Sequence, residues 1–130
     1  MAVTEEQALE IIKHLGKKAG CDRVNRYSGF GFGSRHEMLV FKNAHMKWHE
    51  CLNTKDKNNQ WTVIPFKKNS TWKECLKKII RCKGGCWLVN CHPYSRNHIS
   101  RKNIIEVFKS GTTLEELLIE MDLENNGANV

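Results

Sequence analysis

The sequence CWLVNCHPY, residues 86–94, joins a short apolar run to a cysteine and a proline. Proline is favoured in the first turn of a helix, so the spacing predicts a strand over 87–89 and a helix that begins close to Cys91. A helix N-terminus lowers the pKa of a thiol and raises its thiolate fraction. Cys91 is therefore a candidate nucleophile if a histidine folds against it; the alternative is a buried cysteine that closes a core strand.

Hydrophobic periodicity on both sides of this segment predicts an α+β domain. The predicted strands are 35–43, 44–52, 61–65 and 87–89. The predicted helices are 4–18, a helix capped by Ser70 and ended by Gly84, one after Pro93 that carries Ile99 and Ile104, and 114–123. We predict loops over 27–34, with no strand clearly before it, and over 53–60. The expectation is a small antiparallel sheet of about four strands packed with three to four helices, in a single domain over 1–124 with a disordered tail over 125–130.

The chain is basic, and the charge is unevenly distributed. Net charge is +7 over 130 residues; residues 23–109 contain 18 Lys and Arg against 5 Asp and Glu, and the chain from Ser110 onward contains only acidic charges. This pattern suits contact with RNA or anionic lipid, although a solvated surface would have the same composition. No apolar run has the length of a transmembrane segment and the N-terminus lacks a signal-peptide pattern, so we expect a cytoplasmic protein whose six cysteines are not paired in disulfides.

The basic residues are concentrated on and beside the second predicted helix. They are Lys67, Lys68, Lys73, Lys77, Lys78 and Arg81. Such a group neutralises RNA phosphates, and Phe30, Phe32 or Trp61 could stack on bases. The sequence therefore allows a non-enzymatic RNA-binding module, and the alternative is a solvated helix face.

Cysteine and histidine are dense enough for a zinc site to be considered. Cys82, Cys86, Cys91 and His98 lie within 17 residues, but they do not form the CxxC pairs of structural zinc sites. The apolar residues 87–89 between the cysteines are typical of a strand in the core. We expect neither a metal nor a cofactor.

A different combination places histidine before cysteine. His36 opens a predicted strand, His49 follows thirteen positions later, and Cys91 follows the intervening helix. One imidazole can remove the thiol proton while a second orients the first, which is the logic of a catalytic triad. This order predicts His36, His49 and Cys91 as catalytic residues.

These residues resemble the H-box/NC family, which includes lecithin:retinol acyltransferase and the H-box/NC type of picornaviral 2A protein. HEMLVF at 36–41 is similar to the H-box, the Trp-His pair ending at His49 to its second histidine, and WLVNC at 87–91 to the NC motif. The chain departs from the family after the cysteine, where His-Pro-Tyr replaces Glu-His-Phe. The resemblance implies a permuted papain-like arrangement, with Cys91 as nucleophile, His36 as general base and His49 orienting it.

The resemblance also implies a function. The chain would be a viral non-structural protein of the 2A type in the host cytoplasm, either a thiol-based acyltransferase or phospholipase-like enzyme or a vestigial form of one. A weaker resemblance, to HicA-like RNA-cleaving toxins, would instead make His36 the essential residue. The sequence leaves the substrate, the host protein partner and the oligomeric state open.

Overall fold

Two amphipathic helices and an antiparallel sheet form a mixed α+β fold. A computed structural model describes residues 3–17, 19–28, 34–42, 50–82, 84–90, 96–100 and 103–104. The helices are α1 (Glu5–Lys17) and α2 (Trp72–Ile80). The strands are β1 (Arg23–Tyr27), β2 (His36–Lys42), β3 (Glu50–Lys55), β4 (Trp61–Val63), β5 (Phe66–Lys67), β6 (Cys86–Asn90) and β7 (Arg96–Ile99). Within these ranges, neither helix combines the length and the apolarity needed to cross a membrane.

Both helices begin with reciprocal hydrogen bonds between side chain and backbone. In α1 the backbone N–H of Gln7 donates to Thr4 Oγ1 over 3.1 Å, and Gln7 Oε1 accepts from the Thr4 N–H. In α2 the N-cap is Thr71, not Ser70: its hydroxyl accepts from the Glu74 N–H, and the Glu74 carboxylate accepts from the Thr71 N–H. These two capping boxes satisfy backbone donors that the first turn of a helix leaves unpaired.

Strand β3 connects the rest of the sheet. The order is β1-β2-β3-β6-β7, with β4 paired to β3 and β5 paired to β2. The first residues of β3 pair with β2, for example Glu50 with Phe41, and its last residues pair with β4, for example Lys55 with Trp61. On its other edge β3 pairs with β6 from Glu50–Asn90 to Asn53–Trp87. Two short strands, β4 and β5, therefore occupy the place where β2 and β3 diverge.

The core lies between the helices and one face of the sheet. The sheet contributes Leu39 and Phe41 from β2, Leu52 from β3 and Leu88 from β6, each 1% exposed or less. The predicted apolar face of α1 is confirmed as buried. Its members are Ala8, Ile11, Ile12 and Leu15. In α2 the side chains of Leu76, Ile79 and Ile80 are buried as expected, and Trp72 is half-buried against the same cluster.

Strands are present at the predicted positions 35–43, 61–65 and 87–89, and the predicted strand 44–52 is described only over 50–52, which lie in β3; the sheet is larger than predicted. The described residues form seven strands and two helices, where about four strands and three to four helices were expected. The predicted loop over 53–60 is wrong at its start, because residues 53–55 continue β3 and are paired with β4. Tertiary pairing here overrides the weak strand propensity of Asn53.

In two further segments the structure has a short strand that the sequence did not predict. The helix predicted after Pro93 is wrong at Arg96–Ile99, which form β7 and pair with β6; Asn103 and Ile104 are helical. Strand β1 precedes the 27–34 loop, where none was predicted, because Val24 is its only aliphatic residue. Short segments of this kind do not distinguish helix from strand by periodicity. Residues 29–33, the 114–123 helix and the 125–130 tail lie outside the described residues.

Hydrogen bonds to the carboxylate of Glu5 link α1 to α2, and this contact gives a testable prediction. The Glu5 carboxylate accepts hydrogen bonds of 2.8 Å from the backbone N–H groups of both Trp72 and Lys73 at the start of α2. Glu5→Gln removes the negative charge from this helix N-terminus and leaves one acceptor oxygen. We expect a loss of about 1 kcal/mol in the free energy of unfolding by urea. Glu6→Gln, the same change at the exposed neighbouring position, should have a smaller effect; equal losses would contradict the assignment.

The turn between α2 and β6 gives a second prediction. Gly85 has φ +79°, and a Cβ atom at this position would lie 2.3 Å from His98 Nε2 and 2.7 Å from the Ile99 carbonyl oxygen. Gly85→Ala combines a left-handed backbone with a collision against β7, so we expect a loss of at least about 2 kcal/mol in urea unfolding. Gly84→Ala meets nothing within 4 Å and should change stability by less than about 0.5 kcal/mol. Similar values for the two variants would show that this turn geometry is wrong.

Candidate functional site

Four side chains from four strands meet on the sheet face that is turned away from the helices. We call this group the aromatic platform: Lys55 of β3, Trp61 of β4, Trp87 of β6 and His98 of β7. Side chains alternate between the two faces of a strand, and the core residues Leu52 and Leu88 are paired with each other. The next pair along, Asn53 with Trp87, therefore points to the opposite face, as do the pairs Lys55–Trp61 and Trp87–His98.

The rings of the platform contact one another at defined angles. The ring centroids of Trp61 and Trp87 are 5.2 Å apart at an interplanar angle of 72°, an edge-to-face arrangement. The Trp87 and His98 centroids are 4.8 Å apart at 47°. The Lys55 ammonium lies 4.7 Å from the Trp61 centroid and 5.9 Å from the Trp87 centroid. These distances are within the range of aromatic pairing and of cation–π attraction.

The platform is partly open to water and is held in place by ring contacts and hydrogen bonds. Lys55 and His98 are exposed, and Trp61 and Trp87 are half-buried. The Nε2 atom of His98 lies 3.0 Å from the Gly84 carbonyl oxygen, so a protonated Nε2 donates to it. Beneath the rings Asn53 is 5% exposed, and its amide donates to the Cys51 carbonyl over 2.8 Å.

Trp87 departs from the sequence prediction. Residues 87–89 were expected to be core, and only Leu88 is; Trp87 and Val89 are half-buried on the outer face. Trp87 lies between Cys86 and Leu88 in the strand. Once those two residues are assigned to the core, the alternation of side chains places Trp87 on the outer face. When every position of a strand is apolar, the two-residue alternation between its faces cannot be seen in the sequence. The sequence therefore did not distinguish Trp87, on the outer face, from Leu88, in the core.

The six predicted RNA-binding cations differ in their surroundings. Lys67 and Lys68 in and after β5, and Arg81 at the end of α2, are exposed and form no ion pair with another described residue. Lys73 and Lys77 are half-buried. Lys78, although exposed, donates from its ammonium to the Pro65 carbonyl oxygen and lies 5.4 Å from the centroid of Phe66. Lys78 therefore fastens α2 to the β4–β5 segment, while Lys67, Lys68 and Arg81 face water.

The predicted catalytic residues are only partly within the described chain. His36 is the first residue of β2, half-buried, and is paired with Lys67 of β5; His49 and Cys91 lie outside the described residues. The residues next to them, Glu50 and Asn90, are directly paired, because β3 lies between β2 and β6.

The pairing of β2 with β3 places His36 at the end of β2 that is far from Glu50. Glu50 pairs with Phe41, and Phe41 lies five residues beyond His36 along β2, which corresponds to about 16 Å of strand. The paired strands thus bring together the neighbours of His49 and Cys91, and do not bring His36 to that end of the sheet.

Three of the described cysteines, Cys21, Cys75 and Cys86, are buried and are poor nucleophiles. Burial raises the pKa of the Cys21 and Cys75 thiols to about 11. A hydrogen bond with the Cys82 thiol, followed by burial, raises the pKa of the Cys86 thiol well above its usual value. All three stay protonated at neutral pH, and the protonated thiol is unreactive. In the described ranges no three histidine, cysteine or acidic side chains converge as a metal-binding group, so Cys82, Cys86 and His98 do not form one.

Comparison of the chain with protein-family models, with curated proteins and with solved structures gives no match. The functional argument therefore depends on the residues of this chain and on the surfaces that they form.

Proposed function

We propose that this protein binds RNA, and that exposed cations near β5 and α2 contact the phosphates. The observation that carries this proposal is the excess of positive charge in residues 55–81, together with the exposure of Lys67, Lys68 and Arg81. This segment contains eight Lys and Arg residues against two acidic residues, Asp56 and Glu74. Because RNA is a polyanion, a surface with this charge excess gains affinity by releasing the counterions of the phosphates.

Both acidic residues of the segment are occupied by local hydrogen bonds. Asp56 Oδ1 accepts from the backbone N–H groups of Asn58 and Gln60 over 2.8 and 3.0 Å. The Glu74 carboxylate accepts from the backbone N–H and the hydroxyl of Thr71 in the capping box, which lowers the Glu74 pKa. The Asp56 carboxylate thus stabilises a turn, and the Glu74 carboxylate stabilises the N-terminus of α2. Lys67, Lys68 and Arg81 form no ion pair with a described residue. All three side chains are exposed, although the charge of Lys67 also acts on the Glu74 carboxylate.

The first test is charge reversal at the two adjacent exposed lysines. Lys67→Glu with Lys68→Glu should weaken binding of a 20-nucleotide single-stranded RNA at least about tenfold at 0.1 M salt. It should also reduce the slope of log K against log salt by about 1.4, since each phosphate contact to a single strand contributes about 0.7. Fluorescence anisotropy titrations from 50 to 300 mM salt measure both quantities. We avoid Lys78 because its replacement would loosen α2.

The control is Lys13→Glu with Lys17→Glu on α1, which changes the net charge by the same amount. If both double variants weaken binding equally, the effect is one of total charge and the proposed surface is wrong. Binding that does not depend on salt contradicts the proposal as well. The same titrations with vesicles rich in anionic lipid examine the other polyanion that the composition suits: vesicle binding without RNA binding rejects RNA as the ligand.

As a second candidate we propose the thiol chemistry implied by the H-box/NC resemblance, in a permuted papain-like arrangement. One observation favours it: the Glu50–Asn90 pairing puts the strand that follows His49 beside the strand that precedes Cys91. Cys91 would attack the carbonyl carbon of an ester or acyl donor, forming a thioester and releasing the alcohol. Because His36 lies toward the other end of β2, His49 is the better general base in this proposal. The chain would then be a viral non-structural protein of 2A type acting in the host cytoplasm.

Acylation of the protein by an activated ester tests this candidate. We expect intact-mass spectrometry to find one acyl group on the wild-type protein and none on Cys91→Ala, with labelling slowed more than tenfold in His49→Ala and little in His36→Ala. Equal labelling of wild type and Cys91→Ala would reject the thiol mechanism. Slowing in His36→Ala alone would restore His36 as the base. RNA cleavage that is lost in His36→Ala and kept in Cys91→Ala would support the HicA-like alternative instead.

A further inference from the structure

We infer that the aromatic platform formed by Lys55, Trp61, Trp87 and His98 is a stacking site for unpaired bases, so that the RNA bound is single-stranded. This inference rests on the RNA-binding function proposed above and specifies its ligand. The platform is separate from the core: Leu52 and Leu88 point to the helices, and the platform side chains point away from them. A group of adjacent aromatic side chains on the solvent side of a sheet is a candidate interaction surface.

The platform is preorganised for a flat ligand. Trp87 contacts Trp61 on one side and His98 on the other, at centroid distances of 5.2 and 4.8 Å. His98 is in turn held by the Gly84 carbonyl, and the positive φ of Gly85 lets the backbone pass directly beneath the imidazole. Rings that are already fixed lose little conformational freedom when a ligand stacks on them, which favours affinity.

The position of Lys55 supports a nucleotide over an uncharged aromatic ligand. Its ammonium is held at the two indole rings by cation–π attraction, yet the side chain remains exposed. A base that stacks on Trp61 or Trp87 carries its phosphate beside this ammonium, so one site provides both a π-face and a positive charge. Proteins that bind single strands without sequence preference combine these two features.

The geometry also selects against duplex RNA. In a duplex the faces of the bases are covered by their neighbours in the stack, and aromatic side chains reach only bases that are unpaired. The platform consists mainly of rings, and its exposed polar groups are the Lys55 ammonium and the His98 imidazole. We therefore expect a preference for unpaired over paired RNA and a weak dependence on base sequence.

The experiment compares a 12-nucleotide oligouridine with an RNA hairpin whose stem has the same number of phosphates and whose loop is a non-nucleotide linker, so that it contains no unpaired bases. In anisotropy titrations the wild-type protein should bind the single strand at least about tenfold more tightly. Trp87→Ala and Trp61→Ala should each weaken single-strand binding by about 5- to 150-fold, the range found when one base loses its aromatic partner. Trp61→Phe keeps a ring and should recover most of the affinity. Hairpin binding should change little in any of these variants.

Tyr27→Ala is the matched control. Tyr27 is an exposed ring in β1 of the same sheet, with the Lys42 ammonium 5.4 Å from its centroid, and it is not part of the platform. It should leave the affinity within about twofold of wild type. A loss equal to that of Trp61→Ala would show that the platform has no special role.

Photocrosslinking provides a readout that needs no substitution. Oligouridine containing 5-iodouridine should crosslink to the peptides that contain Trp61 or Trp87, as identified by mass spectrometry; crosslinks confined to other peptides overturn the inference.

Different results would contradict RNA binding and the stacking site. If the wild type binds neither RNA, RNA binding itself is wrong. If it binds both RNAs equally and salt-dependently, and the tryptophan variants behave as wild type, RNA binding stands and the stacking site is wrong.

Discussion

The alternation of side chains along β3 is the constraint on which both faces of this molecule depend. Leu52 points toward α1 and α2 and is paired with Leu88, while Asn53 and Lys55 point the other way and bring Trp87 and Trp61 together. Because β3 is hydrogen-bonded along both edges, a slip of one residue would move every one of these side chains to the wrong face. A single register thus fixes the core and the aromatic platform, and neither can change without the other.

The basic residues divide into those that hold the fold and those that face water. Arg26 forms an ion pair with Glu37 at 3.4 Å, donates to the Ser70 carbonyl over 2.7 Å and lies 5.1 Å from the Trp72 ring centroid. Together with Lys78 it attaches the segment around α2 to the sheet. Positive charge that serves packing in this way is unavailable to a ligand. Charge composition alone therefore overstates the positive charge that faces water. Burial and contacts are needed to find the exposed part of it, around Lys67, Lys68 and Arg81.

The cysteines show a similar division. Cys21, Cys75 and Cys86 are buried and behave as small apolar side chains, and their raised pKa values keep them protonated. Cys51 and Cys82 are half-buried, and Cys91 lies outside the described residues. A resemblance based on the order of motifs cannot detect strand register, and register decides which ends of β2, β3 and β6 lie together. The strand after His49 runs beside the strand before Cys91, whereas His36 begins β2 at its opposite end.

The sequence by itself determined the α+β class, the two amphipathic helices with their buried faces, and the strands β2, β4 and β6, because these features follow from local periodicity. It also identified Trp61 and Lys67 as residues of interest. The tertiary structure alone decided the rest. Strands β1, β5 and β7 are too short or too polar to be recognised without their partners, and Trp87 was hidden in a continuously apolar strand. The platform joins residues from four strands spread over 44 positions of sequence, from Lys55 to His98. Only pairing across the sheet brings such residues together, and no local pattern encodes it.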